Sequence, residues 1–158
     1  MSYLLRRGFM ALGLAHAAGW SHAAPSDDAD NESLLSDTDY AAARVALKAD
    51  DPAAALRRLE QVLKRFPDNA DVHNELGFAH RRLKNLDQAF VHYRRALAIN
   101  PQHRAAHEYI GEAFLMVGDV PAAERHLASL RSICLLPCEE LRDLETAITE
   151  HRQRTAPR

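Results

Sequence analysis

The sequence predicts an all-α fold, namely an α-solenoid of three helix-turn-helix units followed by a C-terminal capping helix. Three observations support this prediction. Ala, Leu, Arg and Glu are abundant while β-branched residues are sparse, a composition that favours helix. Small and apolar residues recur with a period of 34, and the last apolar segment has the spacing of an amphipathic helix. The 158 residues suit one small domain and are too few for a multidomain enzyme.

Composition and charge exclude several classes of protein. The chain has 20 Lys and Arg against 22 Asp and Glu, so no basic excess indicates a nucleic-acid partner. Two cysteines exclude a disulfide-dense scaffold. The sequence has no glycine-rich phosphate loop, no G-x-S-x-G and no H-E-x-x-H, and its carboxylates fall on helix faces expected to be solvated. We therefore expect a protein that is not an enzyme and needs no cofactor.

Residues 1–23 are expected to be a cleavable export signal. Arg6 and Arg7 form a positive segment, a mostly apolar stretch follows, and small residues precede a cleavage site after Ala23, with Ala24 as the alternative. A membrane-anchoring helix is the competing interpretation, but the apolar run is shorter than the roughly 20 residues of a membrane span. We expect the mature chain in the periplasm without a membrane span. Export would use the Sec pathway or, since the two arginines are adjacent, the twin-arginine pathway.

A 34-residue period defines three repeats, at 36–69, 70–103 and 104–137. Small residues in matching columns let neighbouring helices approach closely, and prolines end the second helix of a repeat because proline has no backbone N–H to donate. The columns are Gly77 and Gly111; Pro67 and Pro101; Ala55, Ala89 and Ala123; Leu59, Tyr93 and Leu127; and Val62, Ala96 and Leu130. We place helices at 38–49, 53–65, 70–83, 86–98, 104–117, 120–131 and 138–152.

The segments on either side of the repeats differ in kind. Residues 24–35 are polar and acidic, have little to bury and are expected to form a flexible leader. Residues 138–158 contain Leu141, Leu144 and Ile148, which are three and four apart with charged residues between them. That pattern is typical of an amphipathic helix, which would cover the last apolar face of a solenoid before a frayed tail.

The columns resemble the tetratricopeptide repeat, whose pattern is W-x2-L-G-x2-Y, then A-x3-F, then P. The second copy reads His73-x2-Leu76-Gly77-x2-His80 and Ala89-x3-Tyr93, and the third reads His107-x2-Ile110-Gly111-x2-Phe114 and Ala123-x3-Leu127. This resemblance covers 36–137 and implies stacked antiparallel helix pairs. The run 103–112 and the spacing Cys134-x3-Cys138 are also similar to small exported bacterial tetratricopeptide proteins, a likeness that supports location and fold but not mechanism.

The resemblance also implies a binding surface. Tetratricopeptide stacks bind extended peptides or helices in a concave groove formed by the first helix of each repeat. Positions 2, 5, 9, 12 and 13 of a repeat usually face that groove. The expected groove residues in this sequence are Tyr40, Arg44, Lys48, Asn74, Phe78, Arg81, Arg82, Glu108, Glu112, Leu115 and Met116. Some tetratricopeptide proteins bind chaperone C-termini through lysines and asparagines at particular positions. This sequence does not match those positions.

This predicted groove changes sign along its length. Arg81 and Arg82 are expected to hold a partner carboxylate, while Phe78, Leu115 and Met116 are expected to form an apolar anchor. The alternative interpretation is a solvated helix end, at which the two arginines interact favourably with the helix dipole.

Histidine and cysteine support a different hypothesis. His103 and His107 are four apart, a spacing at which a helix can chelate a transition metal. His107 also falls in a packing column, which favours a role in filling the space between helices. Cys134 and Cys138, with Pro137 between them, are expected to form a disulfide in an oxidising compartment. A thiolate metal site and a redox-active pair are the alternatives.

Two functional hypotheses follow from these patterns. The first is a periplasmic interaction module that binds a protein or peptide partner in the groove. The second is a periplasmic copper- or zinc-handling protein that uses His103, His107, Cys134 and Cys138. Assembly of copies through an exposed solenoid end is a further possibility. The sequence does not identify the partner.

Overall fold

The computed structural model describes residues 27–156, with side chains from residue 32 onward. None of the residues in this range lies in a β-strand, which confirms the predicted all-α solenoid. The export signal expected at 1–23 lies outside the described residues. The described residues form eight helices, namely α1 (Asp27–Ser36), α2 (Thr38–Lys48), α3 (Pro52–Arg65), α4 (Ala70–Arg82), α5 (Leu86–Ile99), α6 (Arg104–Met116), α7 (Val120–Ile133) and α8 (Glu139–Thr155).

Polar side chains fix where the helices begin. The carboxylates of Asp51 and Asp119 accept hydrogen bonds from first-turn backbone N–H groups of α3 and α7, at 2.9 and 3.0 Å. Asn69 caps α4 in the same way, and the Nδ1 atom of His103 caps α6 at 3.1 Å. Each cap satisfies a backbone donor that has no partner within its own helix. The bounds of α2 to α7 therefore lie within two residues of the predicted ones.

The helices stack as successive antiparallel pairs. Each first helix (α2, α4, α6) packs on the second helix of its repeat (α3, α5, α7), and each second helix contacts the next first helix. A Cβ atom on Gly77 would lie 2.6 Å from two ring carbons of Tyr93, so only glycine permits this approach. Helix α8 packs on both α6 and α7, with Leu144 against Gly111. It therefore takes the place that the first helix of a fourth repeat would occupy.

The structure differs from the sequence prediction in the acidic leader. Residues expected to be flexible form α1, and its last turn is anchored because Leu34 is 1% exposed and packs in a core with Tyr40 and Ala43. The backbone N–H of Asp37 also donates to the Leu34 carbonyl at 3.0 Å. One buried leucine in a polar segment has no periodicity, which is why the pattern did not predict the helix. Among residues 27–156, no helix is both long and apolar enough to cross a membrane.

Candidate partner-binding face

The first helices of the three repeats present one column of buried side chains. Tyr40, Asn74 and Glu108 are 34 residues apart, and they are 5%, 4% and 9% exposed. They occupy the same position of α2, α4 and α6, all of which belong to the predicted groove. We call the predicted groove residues on these three helices the first-helix face. Its floor thus changes from an aromatic ring to an amide to a carboxylate along the stack.

Arg81 joins α4 to α6 on this face. Its Nη1 lies 2.5 Å from Oε2 of Glu112, and the side chain is only 13% exposed. The guanidinium also lies 5.3 Å from the ring centroid of Phe78 and 5.4 Å from that of Tyr109. These two rings are 5.0 Å apart. The charge of Arg81 is therefore satisfied inside the chain by a carboxylate and two aromatic faces, which differs from the predicted role of holding a partner carboxylate.

Other predicted groove residues also have partners within the chain. Arg82 forms an ion pair with Asp50 in the turn between α2 and α3. Leu115 is 7% exposed and packs in the core with Leu127, Leu130 and Leu144, so it is not the exposed anchor that we expected. The reason is that α8 covers this end of α6, and the resemblance did not account for that packing.

Three of the predicted groove residues are exposed. Met116 is 39% exposed at the end of α6, and Arg44 and Lys48 are exposed on α2. The guanidinium of Arg44 lies 5.9 Å from the ring centroid of Tyr40. A cavity of about 300 Å³ lies beside Met116 and is lined by Arg81, Glu112, Leu115, Met116, Ala147, Glu150, His151 and Arg154. The face therefore ends in an open, mixed-polarity depression between α4, α6 and α8.

One buried acceptor and one buried donor on the face lack partners. Among the described residues, the Asn74 Oδ1 atom and the Arg81 Nε atom are fully buried and have no hydrogen-bond partner. Burial, followed by the nearby carboxylates of Glu112, Asp143 and Glu140, raises the pKa of Glu108 to about 8, and Arg81 offsets part of that rise. Burial likewise raises the pKa of Glu75 above its usual range. The middle of the face thus combines buried carboxyl groups with an unpartnered amide oxygen and an unpartnered guanidinium N–H.

Tyr109 borders the first-helix face, although the sequence pattern did not predict it. It packs on Phe78 and under Arg81, and the carboxylates of Glu108, Glu75 and Glu112 all act on its hydroxyl. Burial and these charges raise its pKa to about 12. Position 6 of a repeat is not among the positions that usually face the groove, so the pattern held no signal for it.

The histidines proposed as a metal chelate are held apart by other contacts. The His103 Nε2 atom lies 3.0 Å from Oδ1 of Asp71 in the preceding repeat, and its Nδ1 atom caps α6. The His107 ring lies between the Pro101 carbonyl and His126, with both nitrogens engaged at 3.0 Å. The two rings therefore do not converge on one point, although they are four residues apart.

A ladder of histidine pairs replaces the predicted chelate. The Nδ1 atoms of His73 and His92 are 3.1 Å apart, and those of His107 and His126 are 3.0 Å apart. Burial lowers the pKa of all four rings, to about 4 for His92 and His126. Each pair joins the first and second helices of one repeat, 34 residues from the other. The 34-residue spacing between the two pairs is visible in the sequence and could have predicted this ladder.

The two cysteines lie at the boundary between α7 and α8. The Sγ atoms of Cys134 and Cys138 are 2.11 Å apart and form a disulfide. The loop that it closes carries Leu135 and Leu136, which are 95% and 81% exposed. Because both sulfur atoms form this disulfide, neither is a thiolate that could bind a metal ion, as the metal hypothesis requires. Within residues 27–156, no group of three or more His, Cys, Asp or Glu side chains is placed to hold a metal ion.

Comparison with known proteins agrees with this architecture. The family model described as tetratricopeptide repeat matches residues 40–103. A solved structure of an O-GlcNAc transferase mutant from Thermobaculum terrenum is 22% identical, with a TM-score of 0.60 over 85% of this chain. The match covers 28% of that much longer chain, and at this identity it shows a common fold alone. No curated protein matches the sequence.

Proposed function

We propose that this chain, a tetratricopeptide repeat protein, is a protein–protein interaction module whose first-helix face binds a peptide segment of a partner. The observation that supports this proposal most directly is Asn74. Its side chain is 4% exposed at the middle of the face, and its Oδ1 atom has no donor among the described residues. A buried acceptor without a partner costs about 1–3 kcal/mol. A peptide N–H from a bound segment would remove that cost.

The surroundings of Asn74 suit a peptide. Phe78 follows Asn74 by one turn of α4, and its ring packs on Tyr109 beneath Arg81, so this part of the face is preformed before a partner arrives. A preformed surface loses little conformational entropy on binding. The exposed Met116 supplies a flexible apolar contact at the open end of the same face.

We further propose that the mature chain acts in the periplasm. The pattern of residues 1–23 supports export, and a disulfide between Cys134 and Cys138 suits an oxidising compartment. Fractionation of cells that produce the full-length chain tests this proposal. The mature protein is expected in the periplasmic fraction, and recovery of unprocessed protein in the cytoplasm would contradict it.

Peptide selection followed by calorimetry tests the binding proposal. Twelve-residue peptides are selected by display on the immobilised chain, and a selected peptide is titrated into the wild type, Asn74→Ala and Gln88→Ala. The control residue Gln88 is exposed on second helix α5. We expect Asn74→Ala to weaken binding about fivefold, equivalent to one hydrogen bond of about 1 kcal/mol, with Gln88→Ala unchanged. Equal binding by Asn74→Ala at unchanged helicity would contradict the proposed site.

A further inference from the structure

Two histidine rings of the second repeat face each other through their Nδ1 atoms. Those of His73 on α4 and His92 on α5 are 3.1 Å apart. The Nε2 atom of His73 lies 3.0 Å from the Pro67 carbonyl oxygen, which can only accept a hydrogen bond. Neutral His73 therefore donates through Nε2 and directs the lone pair of its Nδ1 atom at His92. The proton on the His92 Nδ1 atom is the link between the two rings.

The same geometry fits a divalent metal ion in place of that proton. In tetrahedral zinc sites the bonds to histidine nitrogen are about 2.0–2.1 Å, which places two such nitrogens about 3.3 Å apart. The observed separation is close to that value. A histidine that binds a metal also normally donates its other ring N–H to a carbonyl or carboxylate, and the Pro67 carbonyl already holds His73 in this way. The pair thus has both the separation of a chelate and the outer hydrogen bond that orients one.

A third imidazole lies beside this pair. The ring centroid of His80 is 5.5 Å from that of His92, and the two rings are nearly parallel, at 8°. Among residues 32–156, the His80 Nδ1 atom is fully buried and has no hydrogen-bond partner, which is a costly state for a polar atom. The third repeat has Phe114 at the equivalent position, beside the pair of His107 and His126. The second repeat therefore has one more metal-ligating side chain at this place than the third.

We propose that the second repeat binds a divalent transition metal of the zinc or copper type between the Nδ1 atoms of His73 and His92. Imidazole nitrogen suits both metals. On binding, the His92 proton moves from Nδ1 to Nε2, so the ring stays neutral and no proton is lost overall. Within residues 27–156, no group of three or more His, Cys, Asp or Glu side chains is placed to hold a metal ion. Water therefore completes the coordination, and a rotation of the His80 ring would add a third imidazole.

The bound ion would join the two helices of one repeat. Because it binds the folded chain through residues of both α4 and α5, it stabilises the second repeat. The pair in the third repeat, which lacks the third imidazole, should bind the same metal more weakly. The inference does not depend on whether the first-helix face binds a peptide.

Calorimetry with zinc chloride tests the proposal on the mature chain. The variant is His92→Gln, and its matched control is His126→Gln, the same substitution at the equivalent position of the third repeat. Loss of an outer hydrogen bond alone lowers metal affinity about 10–100-fold, so loss of a ligand should weaken the tightest zinc binding at least about tenfold in His92→Gln. His126→Gln should leave this binding unchanged. His80→Phe copies the third repeat, an arrangement that the fold already accommodates, and should weaken zinc binding less than His92→Gln does.

NMR of the histidine side-chain nitrogens in ¹⁵N-labelled chain gives a second measurement. The His92 ring should carry its proton on Nδ1 without zinc and on Nε2 at saturating zinc. Unchanged zinc affinity in His92→Gln, or equal losses in His92→Gln and His126→Gln, would overturn the proposal. A His92 ring that keeps its Nδ1 proton at saturating zinc would place the ion elsewhere on the chain and would overturn it as well.

Discussion

The Nδ1 atoms of His107 and His126 lie 3.0 Å apart across the two helices of one repeat. The Nε2 atom of His107 faces the Pro101 carbonyl at 3.0 Å, and a carbonyl only accepts. Neutral His107 must therefore donate through Nε2 and accept through Nδ1, so His126 donates to it. Protonation of this pair would place two N–H donors against each other. The same geometry recurs in His73 and His92.

Acid should weaken the fold through these pairs. Burial and the neighbouring ring hold the pKa of His126 near 4, below the ordinary 6.5. Below pH 6.5 the unfolded chain binds a proton at His126 that the folded chain does not bind. The stabilisation that comes from the neutral ring is therefore present above pH 6.5 and is lost as the pH falls towards 4. Between pH 7 and pH 4.5, we expect the free energy of unfolding to fall by about 1–2 kcal/mol less in His126→Gln than in the wild type. Urea unfolding at both pH values measures it.

A control histidine makes the acid experiment specific. His151 lies on α8 outside the two Nδ1–Nδ1 pairs, so His151→Gln should keep the wild-type pH dependence. An equal flattening in both variants would show that the ring pairs are not responsible.

Glu108 should cost stability at alkaline pH. Its pKa is about 8 in the folded chain because burial and nearby carboxylates disfavour the charged form. The stabilisation linked to its proton is present at low pH and is lost as the pH rises through 8. Glu108→Gln should therefore gain stability over the wild type between pH 5 and 8.5, on the order of 2 kcal/mol. If chemical denaturation gives the same difference in unfolding free energy between the two proteins across that pH range, the assigned burial of Glu108 is wrong.

Gly77→Ala should destabilise the second repeat. The new Cβ would lie 2.6 Å from two carbons of the Tyr93 ring, which is fully buried and has little room to move. Overpacking of this kind costs about 1–3 kcal/mol. Tyr93→Leu introduces the leucine that Leu59 and Leu127 place in the same column, and it should relieve the clash. A double-mutant cycle measured by thermal denaturation should show that Tyr93→Leu reduces the destabilisation caused by Gly77→Ala. Strictly additive changes in stability would refute the contact.

The turns within the three repeats should respond to glycine in a predictable order. Asp50, Lys84 and Gly118 are 34 apart and have φ angles of 59°, 62° and 80°. This left-handed conformation costs a side-chain-bearing residue about 1 kcal/mol, and less for aspartate. Lys84→Gly should therefore stabilise the chain, and Gly118→Ala should destabilise it by a similar amount. A fall in the melting temperature of Lys84→Gly would contradict the shared turn geometry.

The disulfide should contribute modestly to stability. Because Cys134 and Cys138 are only four residues apart, loop closure accounts for about 2 kcal/mol. We expect no titratable thiol in mature protein purified without reductant, and a lower melting temperature after reduction. Two thiols in the unreduced protein would refute the bond in the mature protein.

The sequence predicted the repeat helices well because period and packing share one cause. Gly77 and Gly111 mark close helix approaches, and the prolines mark helix ends, so the columns contained the fold. The interactions of the face were not predictable in the same way. Arg81 on α4 forms an ion pair with Glu112 on α6, and α8 buries Leu115. Both contacts depend on how helices far apart in sequence are placed.

An NMR titration maps the binding surface most directly. The display-selected peptide is added to uniformly ¹⁵N-labelled mature chain, and the backbone amide shifts are followed. Binding to the first-helix face should shift the amides of α4 and α6 around Asn74 and Glu108, and leave those of α3, α5 and α7 facing away nearly unchanged. Saturable shifts confined to α3, α5 and α7, or to the loop at Leu135, would contradict binding at the first-helix face.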